Sequence, residues 1–219
     1  ATDVFDLTAA GMSRANSLDL PPEAEAMRTQ IRAEARRIAA LDEKAQLDEL
    51  IATGYVMPHW PKPWGRGAGA VEQLLVEEEF AAAGVERPDY GITGWVILTL
   101  IQHGTPWQIE RFVEKALRKD EIWCQLFSEP SAGSDAAAVK TRATRVDGGW
   151  MITGQKVWTS GAHYCKRGLA TVRTDFDVPK HAGITMVILD MNAPGVEVRP
   201  LRQITGGKEF NEVFFNDVF

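Results

Sequence analysis

At 219 residues the chain suffices for one large domain or two small ones, and its 45% hydrophobic and 25% charged residues are ordinary for a globular protein with a sizeable core. The net charge of −6 argues against a nucleic-acid binder, which carries a basic stripe, yet allows an anionic small molecule at a local patch. No apolar run approaches the roughly 18 residues of a membrane span and no secretory segment opens the chain, so a soluble, cytoplasmic protein is expected.

The first half has a helical rhythm. Asp19-Leu20-Pro21 leads into Met27, Ile31, Ala35 and Ile38, which share one helix face. Leu47, Leu50 and Ile51 predict a short second helix ended by Gly54. A Pro/Trp/Gly loop, "PHWPKPWGRGAG", follows. Val71, Leu74, Leu75 and Glu78 to Ala82 read as a third helix, with Glu77, Glu78 and Glu79 expected on a solvated face. "GWVILTLIQHG" is apolar all round and predicts a buried helix. In "HGTPWQIERFVEKALRK", Thr105 and Gln108 match a capping box with Pro106 at the first helical position. Ile109, Phe112, Val113, Ala116 and Leu117 then form an amphipathic stripe.

After Trp123 the rhythm changes. Asp147-Gly148-Gly149 marks a hairpin between "TRATRV" and "WMITG". Ala170–Arg173, Ile184–Leu189, Val196–Val198 and Val213–Phe215 are short and β-rich. Strands without intervening helices predict an antiparallel barrel or sandwich. The expected organisation is therefore α+β, with an all-helical domain over 1–122 and a β-domain over 123–219.

Several motifs can be weighed here. "GRGAGA" mimics a dinucleotide fingerprint, but Trp60-Pro61-Lys62-Pro63-Trp64 before it cannot be a central parallel strand, so a plain loop is expected. His59, His103, His163 and His181 are scattered, and the two cysteines, Cys124 and Cys165, lack zinc-ligand spacing. Buried free thiols are expected, and no metal site. "SEPSAGSD", residues 128–135, follows an apolar strand and ends in Gly-Ser-Asp, where successive backbone N–H groups can form an anion-binding nest. About twenty-five residues on, "GQKVWTSGAH" sets Trp158 beside Thr159 and Ser160 at a strand end. An indole that stacks and hydroxyls that hydrogen-bond suit an aromatic, heteroatom-bearing ligand; the alternative is a core tryptophan in a barrel.

The order "LFSEPSAGSD", "DGGW", "GQKVWTSG", "PGVEV" and a closing "DV" resembles the acyl-CoA dehydrogenase family, above all its bacterial members. The resemblance runs from the first amphipathic helix to Phe219 and is most specific over 123–163. It implies FAD-dependent α,β-dehydrogenation of an acyl-CoA thioester, an electron-transfer flavoprotein as acceptor, a homo- or hetero-oligomer, a role in fatty acid or lipid degradation, and neither nucleic acid nor membrane span. By motif position it places Gln125, Phe127 and Ser128 along the isoalloxazine ring. Gly133 and Ser134 would lie at the pyrophosphate or the neighbouring acyl-CoA, Trp158 over one ring face, and Thr159 and Ser160 near flavin N5 and O4. Ser134 and Lys180 are the substrate-binding candidates.

Two departures stand out. The family carries glycine where this chain has Ser131; if that position requires positive φ, serine costs about 1 kcal/mol. The family's C-terminal helical bundle, which carries the catalytic glutamate, is absent from these 219 residues, and the chain is read as part of a longer dehydrogenase. The catalytic residue is thus unknown, and Glu129 is expected to be structural. Readings left open are an acyl-CoA oxidase or flavin monooxygenase of the same superfamily, or a non-catalytic partner subunit of a heteromeric dehydrogenase.

Overall fold

The computed structural model describes residues 22–219; the expected helix entry at Asp19-Leu20-Pro21 lies outside them. By Cα proximity the chain divides after Pro88. The first unit holds α1 (Pro22–Ala39), α2 (Glu43–Thr53) and α3 (Ala70–Ala82). Of the stripe read from the sequence, Ile31, Ala35 and Ile38 are nearly inaccessible and Met27 is half-buried; Ala24 completes the buried face of α1. It packs on α2 and α3. The loop before α3 contains no strand, and its Gly65 has a packing reason: a Cβ there would stand 2.5 Å from the carbonyl oxygens of Met57 and Trp60. The solvated acidic face on α3 holds for Glu77 and Glu78 only. Glu79 is buried, and Arg32 and Arg28 of α1 reach its carboxylate at 2.7 and 2.9 Å. A carboxylate tolerates such burial when guanidinium forks satisfy its lone pairs.

The second unit begins with α4 (Ile92–His103) and α5 (Pro106–Leu117). The capping box of α5 is present in full, with the Thr105 hydroxyl accepting from the Gln108 N–H and the Gln108 side chain accepting from the Thr105 N–H. Phe112, Val113, Ala116 and Leu117 form its buried stripe. Helix α4 departs from expectation. Val96, Ile97 and Leu100 are buried, but Trp95 is 54% exposed and its indole N–H donates to Gln125 Oε1 at 3.0 Å. Apolar residues on all sides of a helix do not show which side the chain itself covers.

Among the described residues seven strands form one curled sheet: β1 (Trp123–Leu126), β2 (Arg142–Val146), β3 (Gly149–Ser160), β4 (Arg167–Arg173), β5 (Ile184–Asp190), β6 (Val196–Pro200) and β7 (Phe210–Val218). The helices-then-sheet order agrees with the α+β expectation. The order is β1-β4-β2-β3-β7-β6, with β5 on β4. Most pairs are antiparallel, including the β2–β3 hairpin, but β4 receives two parallel partners that the succession of short strands does not reveal. Strand β1 pairs its residues 167–170, and β2 meets it at Arg173. At Thr171 and Val172, between those pairings, residues 127–141 leave the sheet. "SEPSAGSD" lies in this excursion. The core behind it holds Cys124, Leu126, Ala170, Val172, Val213 and Phe215, and both cysteines are free and buried.

Candidate functional site

The excursion opens with a tight turn. The Glu129 N–H donates to Ala132 O at 2.8 Å and the Ala132 N–H returns to Glu129 O at 3.1 Å. Ser131 sits inside this turn and is not among the residues with positive φ. The strain that serine would bring to a left-handed position is therefore not incurred. Beyond the turn, Gly133 and Ser134 are exposed, and among the described residues their N–H groups find no partner. A Cβ built on Gly133 would meet nothing within 4 Å. This is open backbone with free donors, the feature an anionic group requires. Gln125, Phe127 and Ser128 are half-buried along the same stretch.

Strand β3 supplies the second part. Its pairing with β7 slips between Lys156 and Thr159, so β3 carries one extra residue there. Trp158 takes up the slip with φ of 59° and is 61% exposed, its ring edge-on to Phe210 at 6.0 Å. A left-handed tryptophan is costly and is held by the surrounding bonds. The core-tryptophan alternative is thereby set aside. Thr159 faces inward, its hydroxyl buried without a partner, while its carbonyl accepts from Asn211 Nδ2 at 2.9 Å. Ser160 is half-buried and lines a cavity of about 250 Å³ together with Ile92, Thr93, Trp123, Tyr164 and Cys165.

Glu129, the glutamate of this stretch, is committed elsewhere. It is 6% exposed and accepts from the Lys140 N–H at 2.6 Å, the Thr141 N–H at 2.9 Å and Lys156 Nζ at 2.8 Å. Burial pushes its carboxyl up, but the bonds from Lys156, Thr141 and Lys140 outweigh this and hold it below the usual carboxylate range. A carboxylate bonded three times and held low is a weak base for a substrate proton.

Lys180 is exposed and paired with Asp135, its Nζ 2.7 and 2.9 Å from the two carboxylate oxygens. Arg173, buried, donates to Ala137 O at 2.6 Å, Val139 O at 3.0 Å and Lys180 O at 3.1 Å, clasping the loop of Lys180 to the excursion. Sequence reasoning missed Lys156, Arg173 and Asn211. Lys156 and Asn211 stand among other polar residues on their strands, so nothing local marked them as buried.

Two family models match the chain in succession: the acyl-CoA dehydrogenase N-terminal domain over residues 22–120 and the acyl-CoA dehydrogenase middle domain over 124–218. The chain belongs to the acyl-CoA dehydrogenase family. It is 54% identical over 216 residues to acyl-CoA dehydrogenase FadE34 of Mycobacterium tuberculosis, covering 99% of this chain and 30% of that protein. Among solved structures it resembles a chain of the ChsE4-ChsE5 complex from Mycobacterium tuberculosis, with 27% identity, a TM-score of 0.68, and coverage of 92% of this chain and 55% of that one. A second, titled the Tcur3481-Tcur3483 steroid ACAD, gives 28% identity and a TM-score of 0.66, covering 92% and 56%. The chain thus spans about half or less of the length of these relatives. The family uses FAD, and the open donors at Gly133 and Ser134 with the outward indole of Trp158 fit such a group.

Proposed function

We propose that this chain forms the flavin and acyl-CoA wall of an FAD-dependent acyl-CoA dehydrogenase. The observation that carries the reading is Trp158, left-handed and outward at the β3 bulge, on the strand bonded to the "SEPSAGSD" turn through Val157 N–H to Ser128 O at 2.9 Å. In this reading Trp158 stacks on one face of the ring system, and Gln125, Phe127 and Ser128 line its edge. The Ser160 hydroxyl bonds near N5 and O4, and Thr159 contributes backbone groups. Gly133 and Ser134 donate to the pyrophosphate or to the acyl-CoA beside it, and Lys180 offers a cation to the substrate's phosphates. FAD, when bound, supplies the electron acceptor for α,β-desaturation.

The protein's task is to orient the thioester, exclude water and stabilise charge developing on the carbonyl oxygen as the α-proton leaves. Glu129 is not the base in this reading, being committed to the turn. In this reading the described helices up to residue 122 make the helical part of the assembly and 123–219 its β-part, in the cytoplasm, with an electron-transfer flavoprotein as acceptor. The two solved relatives are titled as pairs of different chains, which supports a hetero-oligomer here, and one is described as a steroid ACAD, which supports a bulky, ring-bearing acyl group.

The test uses the full-length protein that contains this chain, together with any partner subunit. A flavin absorption spectrum, bleached anaerobically by an acyl-CoA and restored faster by electron-transfer flavoprotein than by oxygen, is expected. Rapid reoxidation by oxygen instead favours an oxidase or monooxygenase. Absence of flavin together with no binding of added FAD overturns the proposal.

A further inference from the structure

We infer that Lys156 is the positioning residue that sets the "SEPSAGSD" turn against Trp158, acting as a side-chain rung where the sheet lacks one. This rests on the flavin reading above for its functional consequence.

The argument begins with the sheet edge. On the edge of β4 that takes both parallel strands, the pairing with β1 ends at Ala170 and the contact with β2 comes at Arg173. Thr171 and Val172 have no strand neighbour on that side, because residues 127–141 have left the sheet. The ammonium of Lys156, fully buried on β3, occupies this gap. It donates to Thr171 O at 2.6 Å, Glu129 Oε1 at 2.8 Å and Phe127 O at 3.1 Å, so each of its three protons has an acceptor. One of these is on β4 and the other two open the excursion.

The next residue, Val157, donates its N–H to Ser128 O at 2.9 Å, and the one after is Trp158. Residues 156, 157 and 158 therefore hold Phe127 and Glu129, hold Ser128, and present the indole, in that order. A side chain bonded to both ends of a gap fixes its width, and a site whose halves lie on either side inherits that spacing. Burial of a lone lysine is costly, and the Glu129 carboxylate offsets it. The pair is thus arranged around the turn and not around bulk stability, since well-packed neutral side chains of similar volume serve stability as well.

The experiment uses full-length protein carrying K156M together with E129Q, which removes both charges and keeps the volume. The control is I152V, a core change on the same strand. Three readouts are taken: melting temperature, FAD titration with the visible spectrum of bound flavin, and hydrogen exchange at the amides of Ala132 and Val157. The double variant is expected to fold, to bind FAD about tenfold to a hundredfold more weakly with an altered flavin spectrum, and to exchange faster at both amides. I152V is expected to change the melting temperature alone. Wild-type affinity and exchange in the folded double variant, or an equal loss of affinity in I152V, overturns the inference.

Should the double variant not fold, E129Q alone decides through exchange at Ala132 and Val157: faster exchange supports the inference and unchanged exchange overturns it. If the wild-type protein binds no FAD, the flavin reading fails separately, and the exchange data still judge whether Lys156 positions the turn.

Discussion

At the scale of single residues, two positions of "GQKVWTSG" have separate reasons in the fold. Gly154 has no room for a side chain, since a Cβ would lie 2.7 Å from Thr141 Cα, an atom of the backbone that cannot rotate away. Replacing it with alanine is expected to lower stability by about 1–3 kcal/mol through overpacking, read by denaturant unfolding. Trp158 presents the opposite case. Most of its surface faces solvent, so Trp158→Ala is expected to change the unfolding free energy by no more than about 0.5 kcal/mol. The same variant is expected to weaken FAD binding about tenfold in a flavin titration, because a stacking face has gone. A variant that is markedly less stable yet binds FAD with unchanged affinity would reverse the roles assigned to this residue. Both motif residues were visible in the string; their reasons were not. Nothing in "GQKVWTSG" states that Thr141 passes behind Gly154, or that a slipped register turns the indole outward.

Elements were more legible than sites, because helix and strand periodicities are local. The capping box of α5 is present in full and four of the five residues of its amphipathic stripe are buried, Ile109 being half-buried, since every interaction that defines them lies within a few positions. Thr105→Ala is expected to cost about 1 kcal/mol, measured by thermal or denaturant melting, because the first turn then loses an acceptor for its N–H groups. The short strands were equally readable. Helix α4 was not, since an all-apolar helix carries no polar face to mark the exposed side, and Trp95 with its bond to Gln125 emerged only in the fold. Glu79 erred in the opposite direction. An acidic run on a helix reads as solvated unless arginines from another helix are known to face it, and Arg28 and Arg32 lie 51 and 47 residues away.

At the scale of the whole molecule, three buried or half-buried carboxylates couple stability to pH. Glu79 is held low by the bond from Arg32, with Arg28 adding to it against the effect of burial. Burial pushes Glu121 and Glu129 up, but Arg167 and Arg111 outweigh it for the first, and Lys156, with the bonds from Thr141 and Lys140, for the second. Each folded-state value lies below the ordinary 4.5. Each group therefore stabilises the fold fully above that value and loses its contribution as pH falls through its own depressed one. Circular dichroism is expected to show a flat signal from neutral pH to about 4.5 and cooperative loss below it, with E129Q less sensitive to acid than the wild type.

The family, the succession of helices then strands, and the two segments of the proposed flavin wall are legible in the string, because these are written in local patterns and short motifs. What only the tertiary structure decided is how those segments are held. The partners of Lys156 lie 29, 27 and 15 residues away, and they meet because two strands share one edge of β4 and leave a gap between them. A gap in a sheet is a property of pairing across the fold, and no window of sequence contains it.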